Sequence, residues 1–322
     1  MLNYEEFAEA FKEKISEKIG AMPEKGVLEF MKKEKINCEV DGITFRTIGS
    51  TVAPCIYIQN YYEMYQRGES LDEIVGEAAE LLYEQRNANI DTPSIRPGKF
   101  KGKIIFQIIN TEQNARMLSH MPHREMEDLS VIYRALVGQE GDRFSSIMIT
   151  DEVAESLKLT EEQLYEEAYK NTREIMKPTV SKLEHVLGLI MKARGVSEDQ
   201  ANYMDDMFRE DTGVYVISNS TGMMGAATML YDDVLQDVAE KLKGDLMILP
   251  SSLHEVLALS AKGASVEFLS ETVHTVNETV VDVQDKLSDN VYFYDKDART
   301  LKIVTSDRDL EHGEPEHKHS GR

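Results

Sequence analysis

Apolar positions near the start of the chain, Tyr4, Phe7, Ala8, Phe11, Ile15 and Ile19, fall three and four apart, the spacing that places them on one face of an α-helix. Asn3 and Glu6 form a capping-box pair at its start. Two short extended runs, 36–40 and 43–48, flank Asp41-Gly42, a strong two-residue hairpin signal, so a hairpin turning at 41–42 is expected. Tyr57, Tyr61, Tyr62 and Tyr65 then crowd one segment ending at Gly68. Phenol rings suit interfaces, but the helical spacing of 61, 62 and 65 favours core packing with bonded hydroxyls. Ser70 and Glu73 open a longer helix striped by Leu71, Ile74, Val75, Ala78, Leu81 and Leu82. After breaks at Pro93, Pro97 and Gly98, the run 104–109 reads as a strand passing directly into a helix capped by Asn110 and Gln113.

Farther on, 129–137 and 144–150 flank Gly138 to Gly141 as a second hairpin. Thr160 and Gln163 open a helix reaching Ile175, and 180–191 reads as another. Residues 192–212 are polar and hold Asp205, Asp206, Glu210 and Asp211, a linker candidate. Beyond them, 214–218 and 226–230 read as paired strands around Ser220-Thr221-Gly222. A helix with Val234, Leu235, Val238, Ala239 and Leu242 stops at Gly244. A strand at 246–249 is ended by Pro250, a helix runs from Val266 to Val280, and strands at 291–294 and 301–304 close the pattern. Hairpins mixed with crossovers imply the α+β class, with mixed sheets and amphipathic helices. The expected organisation is a domain at 1–191, the linker at 192–212, a domain at 213–305, and a disordered tail at 306–322 without apolar periodicity.

Composition adds boundaries. With 322 residues, 41% hydrophobic and 29% charged, the chain can bury a core of ordinary size. Its 36 basic and 58 acidic residues give a net charge of −22, more than half of it beyond residue 200, which repels a phosphate backbone on average. No cluster of Lys and Arg with interleaved aromatics stands out, the densest being Lys32, Lys33 and Lys35 beside Glu29 and Glu34, so nucleic acid is not an expected partner. Cys38 and Cys55 are too few for a metal framework and suit a reducing, cytoplasmic setting. No signal-like or membrane-spanning stretch is present.

Candidate chemistry is sparse. His254-Glu255 resembles the start of a zinc-protease motif, which needs a second His where this chain has Ala258. Ser252 and Glu255 have capping-box spacing and can simply start a helical turn. Ser251 and Ser252 lack a glycine-flanked elbow, and a serine beside His254 rarely faces it. Cys55 has no basic neighbour in sequence and reads as a small hydrophobe. Gly222 to Gly225 is too short for a phosphate loop and lacks its Lys. What remains is a strand-end group, His254, Glu255, Asn219 and Ser251, assembled only if the strands before Asn219 and Pro250 are neighbours and parallel. No metal or other cofactor is expected.

The blocks Ala53-Pro54-Cys55-Ile56-Tyr57-Ile58 with Tyr61, Tyr62, Tyr65 and Gly68, Val214-Tyr215-Val216-Ile217-Ser218-Asn219 with Gly225-Ala226-Ala227, and Ile248-Leu249-Pro250-Ser251-Ser252-Leu253-His254-Glu255-Val256 together resemble an uncharacterised bacterial family catalogued only as a domain of unknown function. The similarity runs from about residue 45 to 304. Cys55 stands where that family leads one to expect Thr. The resemblance implies a bacterial, cytoplasmic protein and supplies no reaction. The leading expectation is a non-catalytic binding or regulatory protein with a protein or small-molecule ligand. The alternative is a hydrolase or transferase using His254, Glu255 and Asn219.

Overall fold

The computed structural model describes residues 1–48, 55–86, 95–140, 143–193, 212–250, 252–307 and 309, which divide between two compact units, Met1–Ser94 and Ile95–Arg322. The class is α+β. Three sheets occur among the described residues, and every neighbouring strand pair in them is antiparallel, so they are not mixed.

In the first unit, helix α1 (Tyr4–Gly20) begins at the Asn3–Glu6 capping box. Its Phe7, Phe11 and Ile15 are fully buried in a cluster shared with α2 (Ile58–Gln66) and α3 (Leu71–Gln85). Burying each such side chain contributes about 1.5–3 kcal/mol. The sheet is β1 (Gly26–Lys35), β2 (Cys38–Thr47) and β3 (Cys55–Tyr57). Its hairpin turns at Ile36-Asn37, where Asn37 has φ 61°, and not at Asp41-Gly42. Asn tolerates that left-handed conformation, while Asp41 and Gly42 are held inside β2 by tertiary demands. The Asp41 carboxylate is buried, accepts the Tyr4 hydroxyl at 2.7 Å and pairs with Lys32 at 3.2 Å and Lys12 at 3.5 Å. A Cβ on Gly42 would lie 2.7 Å from Cys55 Sγ. The tyrosines pack inward: Tyr61 is buried, the Tyr62 hydroxyl donates to the Leu2 carbonyl, and the Tyr65 hydroxyl accepts the Leu2 N–H. Burial also pushes the Cys55 thiol up, consistent with an inert side chain.

The second unit holds two sheets. In the smaller, β6 (Leu129–Glu140) is central, flanked by β4 (Ile104–Asn110), β5 (His123–Met126) and β7 (Arg143–Met148). After Asn110 only a short helix forms, α4 (Ala115–Leu118), although Asn110 Oδ1 does accept the Gln113 N–H. Helices α5 (Asp151–Leu157) and α6 (Glu161–Ile175) follow. Two α6 side chains satisfy the free edge of β4: Thr172 Oγ1 accepts the Phe106 N–H, and Asn171 Nδ2 donates to the Ile104 carbonyl. A sheet edge closed by a helix presents no ladder to another chain.

The larger sheet has the order β13-β12-β10-β11-β9-β8, from β8 (Pro178–Lys182), β9 (Tyr215–Asn219), β10 (Leu246–Leu249), β11 (Val256–Ser260), β12 (Val291–Asp295) and β13 (Thr300–Val304). Helix α7 (Leu183–Ala193) follows β8, and α8 (Asp232–Leu242) precedes β10. Met247 and Leu249 pack against α9 (Val266–Thr279), while Leu246 and Ile248, which alternate to the other face, are equally buried.

Three expectations are corrected here. The start of the helix expected at 180–191 belongs to β8. The run 226–230 is a buried 3-10 helix, Gly225–Leu230, because a short apolar run fits either state. No helical turn starts at Ser252, and a further strand, β11, follows instead. The proposed linker lies mostly outside the described residues, and β8 and β9, on either side of it, pair with each other. Of the proposed tail, Asp307 accepts the Val266 N–H at the start of α9, and residues from 310 lie outside the described set.

Candidate functional site

Strand directions determine which loops meet. β9 and β10 both run antiparallel to β11, which lies between them, so the two are parallel to each other and their C-terminal ends share a rim. β12, antiparallel to β10, begins at that rim. Asn219, Pro250, residues 252–255 and the loop 282–290 therefore converge.

Asn219 and His254 lie on one rim, each committed to holding a loop. Buried Asn219 donates from Nδ2 to the Met223 carbonyl at 2.8 Å and accepts the Thr221 N–H and hydroxyl at 2.9 and 2.8 Å. His254 Nδ1 accepts the Met224 N–H at 3.3 Å, and Nε2 lies 3.3 Å from Asp285 Oδ1. Both ring nitrogens are thus engaged, Nδ1 by a backbone N–H and Nε2 by the Asp285 carboxylate. The Ser218 hydroxyl donates to the His254 carbonyl at 2.7 Å, and Ser252 Oγ accepts the His254 N–H at 3.0 Å. Both contacts are to His254 backbone, and no described serine hydroxyl reaches the imidazole. The Glu255 carboxylate does not cap Ser252. Pro250 and Leu253 are instead pinned by backbone bonds to the neighbouring loop, Leu253 N–H to the Asp285 carbonyl and Ser288 N–H to the Pro250 carbonyl. Ser251 lies outside the described residues.

Gly225 is the point of closest approach on this rim. A Cβ there would stand 2.2 Å from Ser218 Oγ and 2.3 Å from the His254 carbonyl oxygen.

From Asp285 the polar network continues into a seam between the two sheets. Asp128, in the turn between β5 and β6, accepts the Ser288 hydroxyl at 2.6 Å, the Asn290 amide at 2.9 Å and the Tyr292 hydroxyl. Burial, reinforced by the bond to Asp128, raises the Tyr292 phenol far above its ordinary value, so it stays a donor. Asn110 Nδ2 donates to the Leu287 carbonyl at 3.1 Å.

A cavity of about 400 Å³ opens beside this seam, lined among others by Asn110, Glu112, Glu127, Asp128, Lys286 and Asp289. Asn277 also lines it and is 1% exposed. Its Nδ2 donates to the Ser288 carbonyl and to Asp289 Oδ1, while its buried Oδ1 has no donor among the described residues. A buried acceptor left unpaired costs about 1–3 kcal/mol. Four carboxylates against one ammonium, paired with Glu278 at 3.0 Å, make the cavity electronegative. Sequence reasoning missed Asp128, Asn277 and Tyr292 because their partners lie far along the chain or in an unpatterned loop, and nothing local marks them.

Among the described residues, no group of three or more His, Cys, Asp and Glu side chains is placed to hold a metal ion, and no helix is long and apolar enough to cross a membrane. An antiparallel α+β unit with an acidic polar seam at one sheet rim is thus the class that carries the candidate site. Residues 4–296 match the model of a family of unknown function, DUF5688, and the chain belongs to that family. The match extends farther toward the N-terminus than the sequence blocks that carry the resemblance. No curated protein and no solved structure matches the chain.

Proposed function

We propose that the protein is a non-catalytic binding protein of the bacterial cytoplasm whose ligand is a small cation rich in N–H donors, held in the seam cavity. The observation that carries this reading is Asn277 Oδ1, a buried acceptor without a donor among the described residues, in a cavity also lined by Glu112, Glu127, Asp128 and Asp289. An amine or guanidine group supplies both the missing donor and the missing positive charge. His254 supports the non-catalytic part, since a general base needs a ring nitrogen free to take a proton and both of its nitrogens are engaged. The unpaired Cys38 and Cys55 fit a reducing compartment.

The test is calorimetric titration of the full chain with spermidine, beside a Glu112→Gln/Glu127→Gln variant that alters two exposed carboxylates of the cavity. Spermidine is expected to bind with one dominant site, and the variant to bind about tenfold more weakly. Absence of binding, or equal affinity in the variant, would overturn the reading.

A further inference from the structure

A second cavity, of about 450 Å³, lies in the same unit and is built in the opposite way. It falls within the size range of small-molecule sites. Its apolar wall is Phe100, Ile104 and Leu157, all nearly fully buried, together with Leu159. The loop before β4 shapes that wall. Gly98 and Gly102 have φ 74° and 71°, a region glycine enters without steric cost. They turn the chain on either side of Phe100 and leave its ring 2% exposed. The Lys103 N–H closes on the Phe100 carbonyl at 2.8 Å, and the Gly102 N–H donates to Glu167 Oε1 of α6 at 2.8 Å.

Lys101 and Lys170 line the same cavity and are exposed, and no ion pair or hydrogen bond engages either side chain among the described residues. Arg96, Lys99 and Lys103 stand on the same loop, also without ion pairs there, and no acid occurs between Thr92 and Thr111. In a chain of net charge −22 this is a local reversal of sign. It corrects the expectation that no basic cluster with an interleaved aromatic exists: Phe100 sits between Lys99 and Lys101, in a stretch whose Pro97-Gly98 marks it as a chain break. Glu167 is the one acid among the described lining residues, and its Oε1 is engaged by the Gly102 N–H.

We propose that this cavity binds a small organic anion with an apolar body, of the medium-chain carboxylate class. The apolar part lies against Phe100, Ile104, Leu157 and Leu159, and the carboxylate meets Lys101 and Lys170. Unpaired ammonium groups at the mouth of an apolar cavity favour an anion there over a cation or a neutral chain of equal length, because the apolar contact is common to all three and the charge is not. The same chemistry is available as a free acid or as the chain of an anionic lipid, and the vesicle arm of the test below separates the two.

The test is calorimetry of the full chain with decanoate, decanol and decylamine, repeated on a Lys101→Gln/Lys170→Gln variant whose melt is checked by circular dichroism. Cosedimentation with phosphatidylglycerol vesicles is measured alongside. Decanoate is expected to bind one to one and more tightly than decanol or decylamine, the variant to lose about tenfold or more of that affinity, and the vesicles to leave the protein in solution. No decanoate binding, decylamine binding as tight as decanoate, an unchanged variant, or vesicle binding lost in the variant would overturn it.

Discussion

The two cavities of the larger unit, about 400 and about 450 Å³, differ less in size than in what their polar groups are already doing. Around the seam, Asp128, Asn110 and Asn277 each make bonds that hold a loop. Among the described residues, the Asn277 acceptor and the exposed carboxylates are what remains for a ligand. Around the second cavity, the Lys101 and Lys170 side chains engage no partner among the described residues. A seam residue therefore serves folding and binding together, and its substitution moves both, whereas the lysines can be changed with the fold left alone. Side-chain polarity alone does not mark a ligand group; a polar group with no partner inside the protein does.

The largest expected effect belongs to the rim that feeds the seam. Gly225→Ala forces a methyl against Ser218 Oγ and the His254 carbonyl, and should cost about 3 kcal/mol or more by overpacking. Chemical denaturation measures it, and a near-neutral result would show that the rim yields easily. Asp128→Ala strips three donors of their acceptor and should cost about 2–3 kcal/mol. If stability holds, the Asp128 bonds do not staple the seam. His254→Ala leaves the Met224 N–H without its acceptor, and a loss of about 1–2 kcal/mol is expected. A stable variant with altered turnover of any substrate would return His254 to a catalytic role. The Lys101→Gln/Lys170→Gln variant should stay within about 0.5 kcal/mol of the parent. A larger loss would erase the contrast between the cavities.

Much of this fold was legible in short-range signals. The pairs Asn3–Glu6, Ser70–Glu73 and Thr160–Gln163 all form reciprocal capping boxes, because the bonds involved span only three residues. Asp41-Gly42 misleads for the opposite reason: Tyr4, Lys12 and Cys55, all distant in sequence, keep it within a strand. At the site, the polar positions at Asn219 and after Pro250 are readable, and the strand directions that bring them to one rim are not, since β11 is a short apolar run that fits a strand or a buried helix equally. Asp128 reaches Ser288 and Tyr292 across 160 and 164 residues, beyond any periodicity.

Hydrogen–deuterium exchange of the full chain with and without spermidine tests the seam most directly. Slower exchange is expected at 110–113, 127–128 and 286–290, with 98–104 unchanged. Protection at 98–104, or a uniform change spread over the acidic surface, would contradict a cation site in the seam.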